Sequence, residues 1–375
     1  MKVLHVLYSL KFSGAEIMYV DAASEFQEKG CKLSVMAIAD ELGEFAINFE
    51  KAGYDVLHYP IPPSKKIISS IKYFKRIIKV LKEEQFDVIH IHSSRARLGF
   101  SFCAWKSKIS SVYTFHSVFP THFFTFPYHC FQRWLIKNLF KCKFQSISDS
   151  VYNHELKFYR NKTTKIYNWY SNLRYYPAKE NEKELLRRDL GISSKTLVLI
   201  SVGGCNEVKR HSEIIKALSL IKQVIPDVLY LHLGEGCSGT EERNLAEELG
   251  VNHLMRFCGN QLDVRKFLIA SDIYIMTSRF EGISITTIEA MACKIPTILY
   301  DVQGLRDFNK EGNNSFLIPE DFRELSKKVI EIRHEKSNKA LNVIESANKL
   351  INDKYKMQNN VSSIYNLYYK NQVFR

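Results

Sequence analysis

Short apolar runs recur along the chain, each separated from the next by a stretch with helical spacing. Residues 3–7 form the first run and read as a buried strand. Ser13-Gly14-Ala15-Glu16 then turns the chain, and an amphipathic helix is predicted to about Lys29, closed by Gly30. Residues 33–39, 55–59, 87–91, 111–115 and 145–148 are the next strand candidates. Strands that alternate with helices in this way imply a parallel sheet covered on both faces.

Around residues 168–184 the rhythm breaks into Tyr, Asn, Pro and charge, as expected of a linker. It then restarts, with strand candidates at 196–202, 229–233, 255–258, 273–277 and 297–300. The pattern therefore predicts an α/β protein of two doubly wound domains, 1–172 and 173–350. A helical segment, 351–375, is expected to cross back to the first. Within the helical stretch 322–369, Tyr365, Leu367, Tyr368 and Tyr369 are the candidate docking residues. Two such domains facing each other leave a cleft along the carboxyl ends of their strands, where open α/β sheets bind ligands. No fixed-period repeat or low-complexity tract interrupts this reading.

Composition agrees with two packed domains and changes the picture in one respect. At 375 residues the chain exceeds one ordinary domain, and 45% hydrophobic with 25% charged residues excludes a disordered protein. Its net charge of +13 is concentrated, because residues 88–179 hold fourteen Lys/Arg against only Asp149 and Glu155. A basic segment of that kind suits phosphorylated ligands, an anionic membrane face or nucleic acid. The eight cysteines, Cys31, Cys103, Cys130, Cys142, Cys205, Cys237, Cys258 and Cys293, form no CxxC pair. They resemble neither a disulfide framework nor a zinc module. The first residues are too interrupted for a signal peptide, and no apolar run approaches the roughly 18 residues of a membrane span. A cytoplasmic location is expected.

The segment 273–296 carries the strongest chemical signal. A buried strand ends in Thr277-Ser278, a turn follows at Glu281-Gly282, and a helix opens near Ser284. A helix start offers unpaired backbone N–H groups and the positive end of a dipole, which suits a diphosphate. Glu281 and Glu289, with seven residues between them, are expected to look into the cleft. The string Glu281-Gly282, Glu289-Ala290-Met291-Ala292 and Pro296 resembles the E-x7-E segment of retaining GT-B glycosyltransferases of family 4, and the resemblance spans nearly the whole chain. It implies a GT-B fold of two Rossmann-like domains. It makes Glu281 the donor-sugar carboxylate and Glu289 the ribose ligand, with the amides of Gly282, Ile283 and Ser284 on phosphate or sugar oxygens. Gly304 matches a glycine that the family carries shortly after this helix.

A second segment, Gly203-Gly204-Cys205-Asn206-Glu207-Val208-Lys209, joins a strand to a glycine turn and then a cation. It resembles the family's G-R-L-x-x-x-K segment, so Lys209 is implied on the diphosphate. Gly204 stands where the family has arginine, leaving Arg210 or another base to compensate. Gly14 matches the family's first glycine loop, where the lack of a Cβ allows backbone to approach a ligand. His116, at a strand end, matches a histidine that meets sugar or acceptor. His90 and His92 share one side of a neighbouring strand and are read as cleft wall rather than metal ligands.

Residues 119–144 are aromatic-rich, and Arg133, Lys137 and Lys141 recur every four positions. They read either as a basic stripe facing an anionic membrane or as the solvated side of an ordinary packed helix. The resemblance implies transfer of a hexose-type sugar from a nucleotide diphosphate sugar, most naturally a UDP-sugar, with no metal or other cofactor. The implied acceptor is a saccharide or lipid-linked saccharide in bacterial surface polysaccharide synthesis, capsule or lipopolysaccharide, reached from a cytoplasmic or peripheral membrane position. The alternatives are a catalytically weak or inactive partner subunit that binds acceptor, a nucleotide-sugar epimerase, or a phosphorylase, for which no cofactor lysine is apparent. Nucleic acid is not an expected partner, since no recognised binding module appears.

Overall fold

A computed structural model describes residues 1–63, 67–118, 123–236, 239–335 and 338–372; Cys237 and residues 119–122 of the aromatic-rich segment lie outside the described residues. The chain divides into two compact units, Met1–Asn168 with Met357–Arg375, and Trp169–Lys356.

The first unit is built on a seven-stranded sheet. Its strands are β1 (Lys2–Leu7), β2 (Lys32–Ala37), β3 (Asp55–His58), β4 (Val88–Ile91), β5 (Ser110–Phe115), β6 (Lys143–Ser146) and β7 (Thr164–Lys165). Their order is β3-β2-β1-β4-β5-β6-β7, with every pairing parallel. The second unit holds β8 (Leu197–Val202), β9 (Val228–Leu233), β10 (Met255–Gly259), β11 (Ile273–Met276), β12 (Thr297–Tyr300) and β13 (Phe316–Ile318), ordered β10-β9-β8-β11-β12-β13. Burial explains the sequence pattern: all six residues of β8 and all four of β4 and β11 are buried, so these strands have no polar face to show. In each sheet the strand order reverses once, between β1 and β4 and between β8 and β11. The carboxyl ends at such a reversal leave the crevice where ligands of this architecture bind.

The last helix, Met357–Gln372, packs in the first unit, where Tyr368 is fully buried and its hydroxyl bonds His90 Nδ1. Leu367 is buried as well, whereas Tyr369 is exposed, so only part of the expected docking set is used.

The basic stripe expected at residues 133, 137 and 141 does not form. The helix runs Phe126–Asn138, and Lys141 lies beyond it in the left-handed region with φ 56°. Arg133 is buried, its guanidinium paired twice with Glu155, Nε to Oε2 at 2.7 Å and Nη2 to Oε1 at 2.6 Å. Lys137 Nζ turns to the carbonyl of Lys162 at 2.6 Å. Tyr128, Phe131 and Trp134, at three-residue spacing, face outward instead. Helical spacing shows which residues share a face, and a buried carboxylate decides which face turns inward. No helix among the described residues is long and apolar enough to cross a membrane.

Candidate functional site

In the second unit, two loops meet at the carboxyl ends of β8 and β11. The first carries Lys209. Asn206 Oδ1 accepts from the amides of Val208 at 3.0 Å and Lys209 at 3.1 Å, folding the loop on itself. Thr277 Oγ1 lies 3.0 Å from the carbonyls of both Lys209 and Arg210, and the Arg279 amide donates to the Val208 carbonyl at 2.8 Å. These bonds stitch the loop to the segment that carries Glu281.

Lys209 Nζ donates to Glu281 Oε1 at 2.7 Å, and Ser278 Oγ donates to the same oxygen at 2.7 Å. One carboxylate oxygen is therefore held by a cation and a hydroxyl, leaving Oε2 for another donor. Gly304 fixes the backbone of Glu281: the Glu281 amide donates to the Gln303 carbonyl at 2.9 Å, and a Cβ on Gly304 would sit 2.2 Å from the Glu281 carbonyl oxygen. Gly304 also has φ 89°, so any side chain there meets both strain and collision.

The helix Ile285–Ala292 starts beside this pair. Ser284 caps it, accepting from the Thr287 amide at 3.2 Å, and Thr286 Oγ1 donates to the carbonyl of Val202, the last residue of β8, at 3.2 Å. Gly282, Ile283 and Ser284 are buried, while Ile285 and Thr286 are half-buried and form the more open start of the helix. Glu289 stands about one turn further along the helix and is buried. Gly203 lets the lysine stem pass, since its Cβ would lie 3.2 Å from Lys209 Cε. A Cβ on Gly204 would lie 2.9 Å from the Glu235 carbonyl oxygen, which accounts locally for the missing arginine. Arg210 does not replace it: the guanidinium binds Glu320 at 2.5 Å and lies 3.7 Å from Glu213.

The first unit gathers histidines at its own strand reversal. His5 on β1 and His90 on β4 are register partners. His5 Nδ1 and His92 Nε2 share a hydrogen bond at 3.1 Å, and His92 Nδ1 and His116 Nε2 share another at 3.0 Å. His90 spends both ring nitrogens, one on Tyr368 and the other on Thr114 Oγ1 at 2.6 Å; Thr114 in turn donates to Gln145 at 2.8 Å. Burial holds the imidazoles neutral, lowering His5 to about 3 and His116 to about 4, and His90 and His92 well below the usual range. His5, His92 and His116 thus form a hydrogen-bonded chain of neutral rings, and His90 packs beside it with its nitrogens on Tyr368 and Thr114. Gly14 opens the helix Gly14–Asp21 and is exposed, with the Ser13 hydroxyl bonded to Glu16 just before and after it.

Sequence reasoning missed two members of these clusters. Ser278 lay in plain view in the motif, but only the fold shows that it shares an oxygen with Lys209. His5 is four residues from Met1 in an apolar strand, and its alignment with His90 is a property of strand order.

Comparison with known proteins gives these loops a context. A family model described as Glycosyltransferase Family 4 matches residues 12–203, and one described as Glycosyl transferases group 1 matches residues 182–357. The chain belongs to glycosyltransferase family 4. This transferase is 24% identical over 327 residues to the UDP-Gal:alpha-D-GlcNAc-diphosphoundecaprenol alpha-1,3-galactosyltransferase of Escherichia coli, covering 82% of each chain. It is 24% identical over 278 residues to the N-acetyl-alpha-D-glucosaminyl L-malate synthase of Bacillus anthracis, covering 70% of this chain and 68% of that one. Among solved structures, Anabaena HepE in complex with UDP-glucose superposes with a TM-score of 0.81 at 20% identity, over 98% of this transferase and 99% of HepE. The fold is GT-B.

Proposed function

We propose that this transferase moves a hexose-type sugar from a nucleotide diphosphate sugar, a UDP-sugar in the first instance, to a lipid-linked saccharide, with retention of anomeric configuration, in bacterial surface polysaccharide synthesis. The observation that carries the reading is the Lys209–Ser278–Glu281 cluster at the β8/β11 carboxyl ends, beside the start of a helix. In this reading the diphosphate lies against Lys209 and the half-buried helix start, while Glu281 holds the sugar. Negative charge grows on the diphosphate as the glycosidic bond breaks, and a fixed ammonium and helix start stabilise it there. Glu289 takes the ribose, and Gly14 and His116 serve donor or acceptor. No metal is assigned a part in the chemistry. The relative whose name includes a diphosphoundecaprenol acceptor supports a lipid carrier, as does the outward row of Tyr128, Phe131 and Trp134. We place the enzyme at the cytoplasmic face of the membrane.

The test is a panel of UDP- and GDP-sugars with a polyprenyl-diphosphate-linked saccharide, read by product mass and by NMR of the new anomeric centre. Glu281→Gln and Lys209→Ala are each expected to lower transfer by at least 100-fold, as loss of one aimed electrostatic contact costs about 3–4 kcal/mol. Wild-type rates in either variant would remove the site. Absence of donor affinity in calorimetry favours the inactive partner subunit, for which the glycine at 204 speaks. Sugar interconversion without acceptor favours an epimerase.

A further inference from the structure

Beneath the Lys209 loop lies a group of side chains that the transfer reaction does not use. Cys205 follows β8, His211 opens the helix His211–Val224, His232 lies on β9, and Glu242 lies in the helix Gly239–Glu248. All four are at least 95% buried. One ligand atom from each lies within 4.8 Å of the others. Individual separations are 3.3 Å from His211 Nδ1 to Glu242 Oε1, 3.5 Å from His232 Nδ1 to Glu242 Oε2, and 3.7 Å from Cys205 Sγ to His232 Nε2.

What distinguishes this cluster from the histidines of the first unit, where only His5 Nε2 is so placed, is the number of its buried polar atoms without a hydrogen bond. Both ring nitrogens of His211, Nδ1 of His232 and Oε2 of Glu242 are buried with no hydrogen-bond partner among the described residues. Buried polar atoms are nearly always satisfied, so unsatisfied atoms on three of four clustered side chains call for an occupant. Water supplies too little, because a thiol, two imidazoles and a carboxylate around one point form a metal ligand set.

We propose that Cys205, His211, His232 and Glu242 bind one structural zinc ion. A tetrahedral zinc with bonds of about 2.0–2.3 Å has ligand-to-ligand edges of roughly 3.3–3.8 Å, and the four ligand atoms, one from each residue, already lie within 4.8 Å of one another. On binding, the Cys205 S–H bond breaks, its proton leaves to solvent, and the thiolate sulfur bonds the metal. The thiolate and the Glu242 carboxylate then balance the two positive charges, and two neutral imidazoles complete a net-uncharged site suited to a dry interior. The ligand set of sulfur, nitrogen and oxygen selects zinc over magnesium or calcium, which prefer oxygen alone. Four protein ligands and full burial leave no open position, the mark of a structural rather than a catalytic ion. Cys205 and His211 bracket Lys209 in sequence, so the metal would clamp both ends of the loop that presents it; that consequence, unlike the site itself, rests on the proposed function.

The experiment uses the full chain. Purified protein dialysed against trace zinc is expected to hold about one zinc per chain by mass spectrometry of metals. A strong chelator should lower the unfolding temperature, and added zinc should restore it. Cobalt(II) reconstitution is expected to give intense tetrahedral visible bands and a thiolate-to-cobalt absorption. Cys205→Ser should lose the thiolate absorption yet still fold, and His232→Gln should bind cobalt at least 10-fold more weakly. Less than one-tenth of a zinc per chain, with no thermal response to zinc or chelator, overturns the site. Transfer activity in such metal-free protein would leave the proposed function standing, so the two failures are distinguishable.

Discussion

The Arg133–Glu155 pair gives a quantitative test of how the first unit is held together. Both side chains are nearly inaccessible, at 9% and 3% exposure. The guanidinium meets the carboxylate through two bonds, and Asn161 Nδ2 adds a third to Oε2 at 2.7 Å. Arg133 also lies 3.5 Å from the centre of the Tyr159 ring. Replacing Arg133 with Leu keeps bulk but strands a buried carboxylate, which costs about 3–5 kcal/mol. For a unit of this size each kcal/mol lowers the transition by about 2–4 °C, so the expected drop is roughly 6–20 °C. Replacing both partners by Leu removes the stranded charge and should recover most of that loss. Differential scanning calorimetry of wild type, both single variants and the double variant closes the cycle. A drop under about 2 °C in Arg133→Leu, or a double variant no better than the singles, refutes the account of Arg133 as a buried, charge-matched residue.

The buried histidines predict acid sensitivity. His5 and His116 stay neutral in the folded state down to about 3 and about 4, and His90 and His92 also titrate well below the unfolded value. The unfolded chain therefore binds more protons below pH 6.5; stability is full above that pH and falls as pH drops towards 4, by about 2 kcal/mol at pH 5 for each fully buried ring. Urea unfolding with equal midpoints at pH 7.5 and 5.0 would contradict this. Gly304→Ala should lower both thermal stability and transfer, because its methyl group meets the Glu281 carbonyl at 2.2 Å. Gly191→Ala, also left-handed but with nothing within 4 Å, should cost only about 1–2 kcal/mol and leave transfer intact. Phe131→Ser with Trp134→Ser should reduce sedimentation with anionic vesicles at an unchanged unfolding temperature; undiminished binding would dissociate this face from the membrane.

Element types were readable because parallel strands buried on both faces leave uninterrupted apolar runs, such as β8 and β11. Strand order was not, since nothing in residues 3–7 says whether residues 33–37 or 88–91 will lie alongside; both do. The site divides the same way. Glu281 and Lys209 were legible from local strings, whereas Ser278's bond to Glu281 depends on the turn between them. Arg133 was misplaced because its partner, Glu155, belongs to another helix, and periodicity carries no information about partners. Cys205, His211, His232 and Glu242 come from a loop and three separate elements, so no spacing rule for cysteines gathers them.

The seat of Tyr368 against His90 has a consequence for biogenesis. The first unit is interrupted by the whole of the second, which is contiguous from Trp169 to Lys356. A ribosome adding about 5–20 residues per second takes roughly 10–40 s to travel from the last strand of the first sheet to its closing helix. During that interval the N-terminal sheet waits without its final cover, while the later-made unit is already complete in sequence. The order of completion is thus the reverse of the order of synthesis.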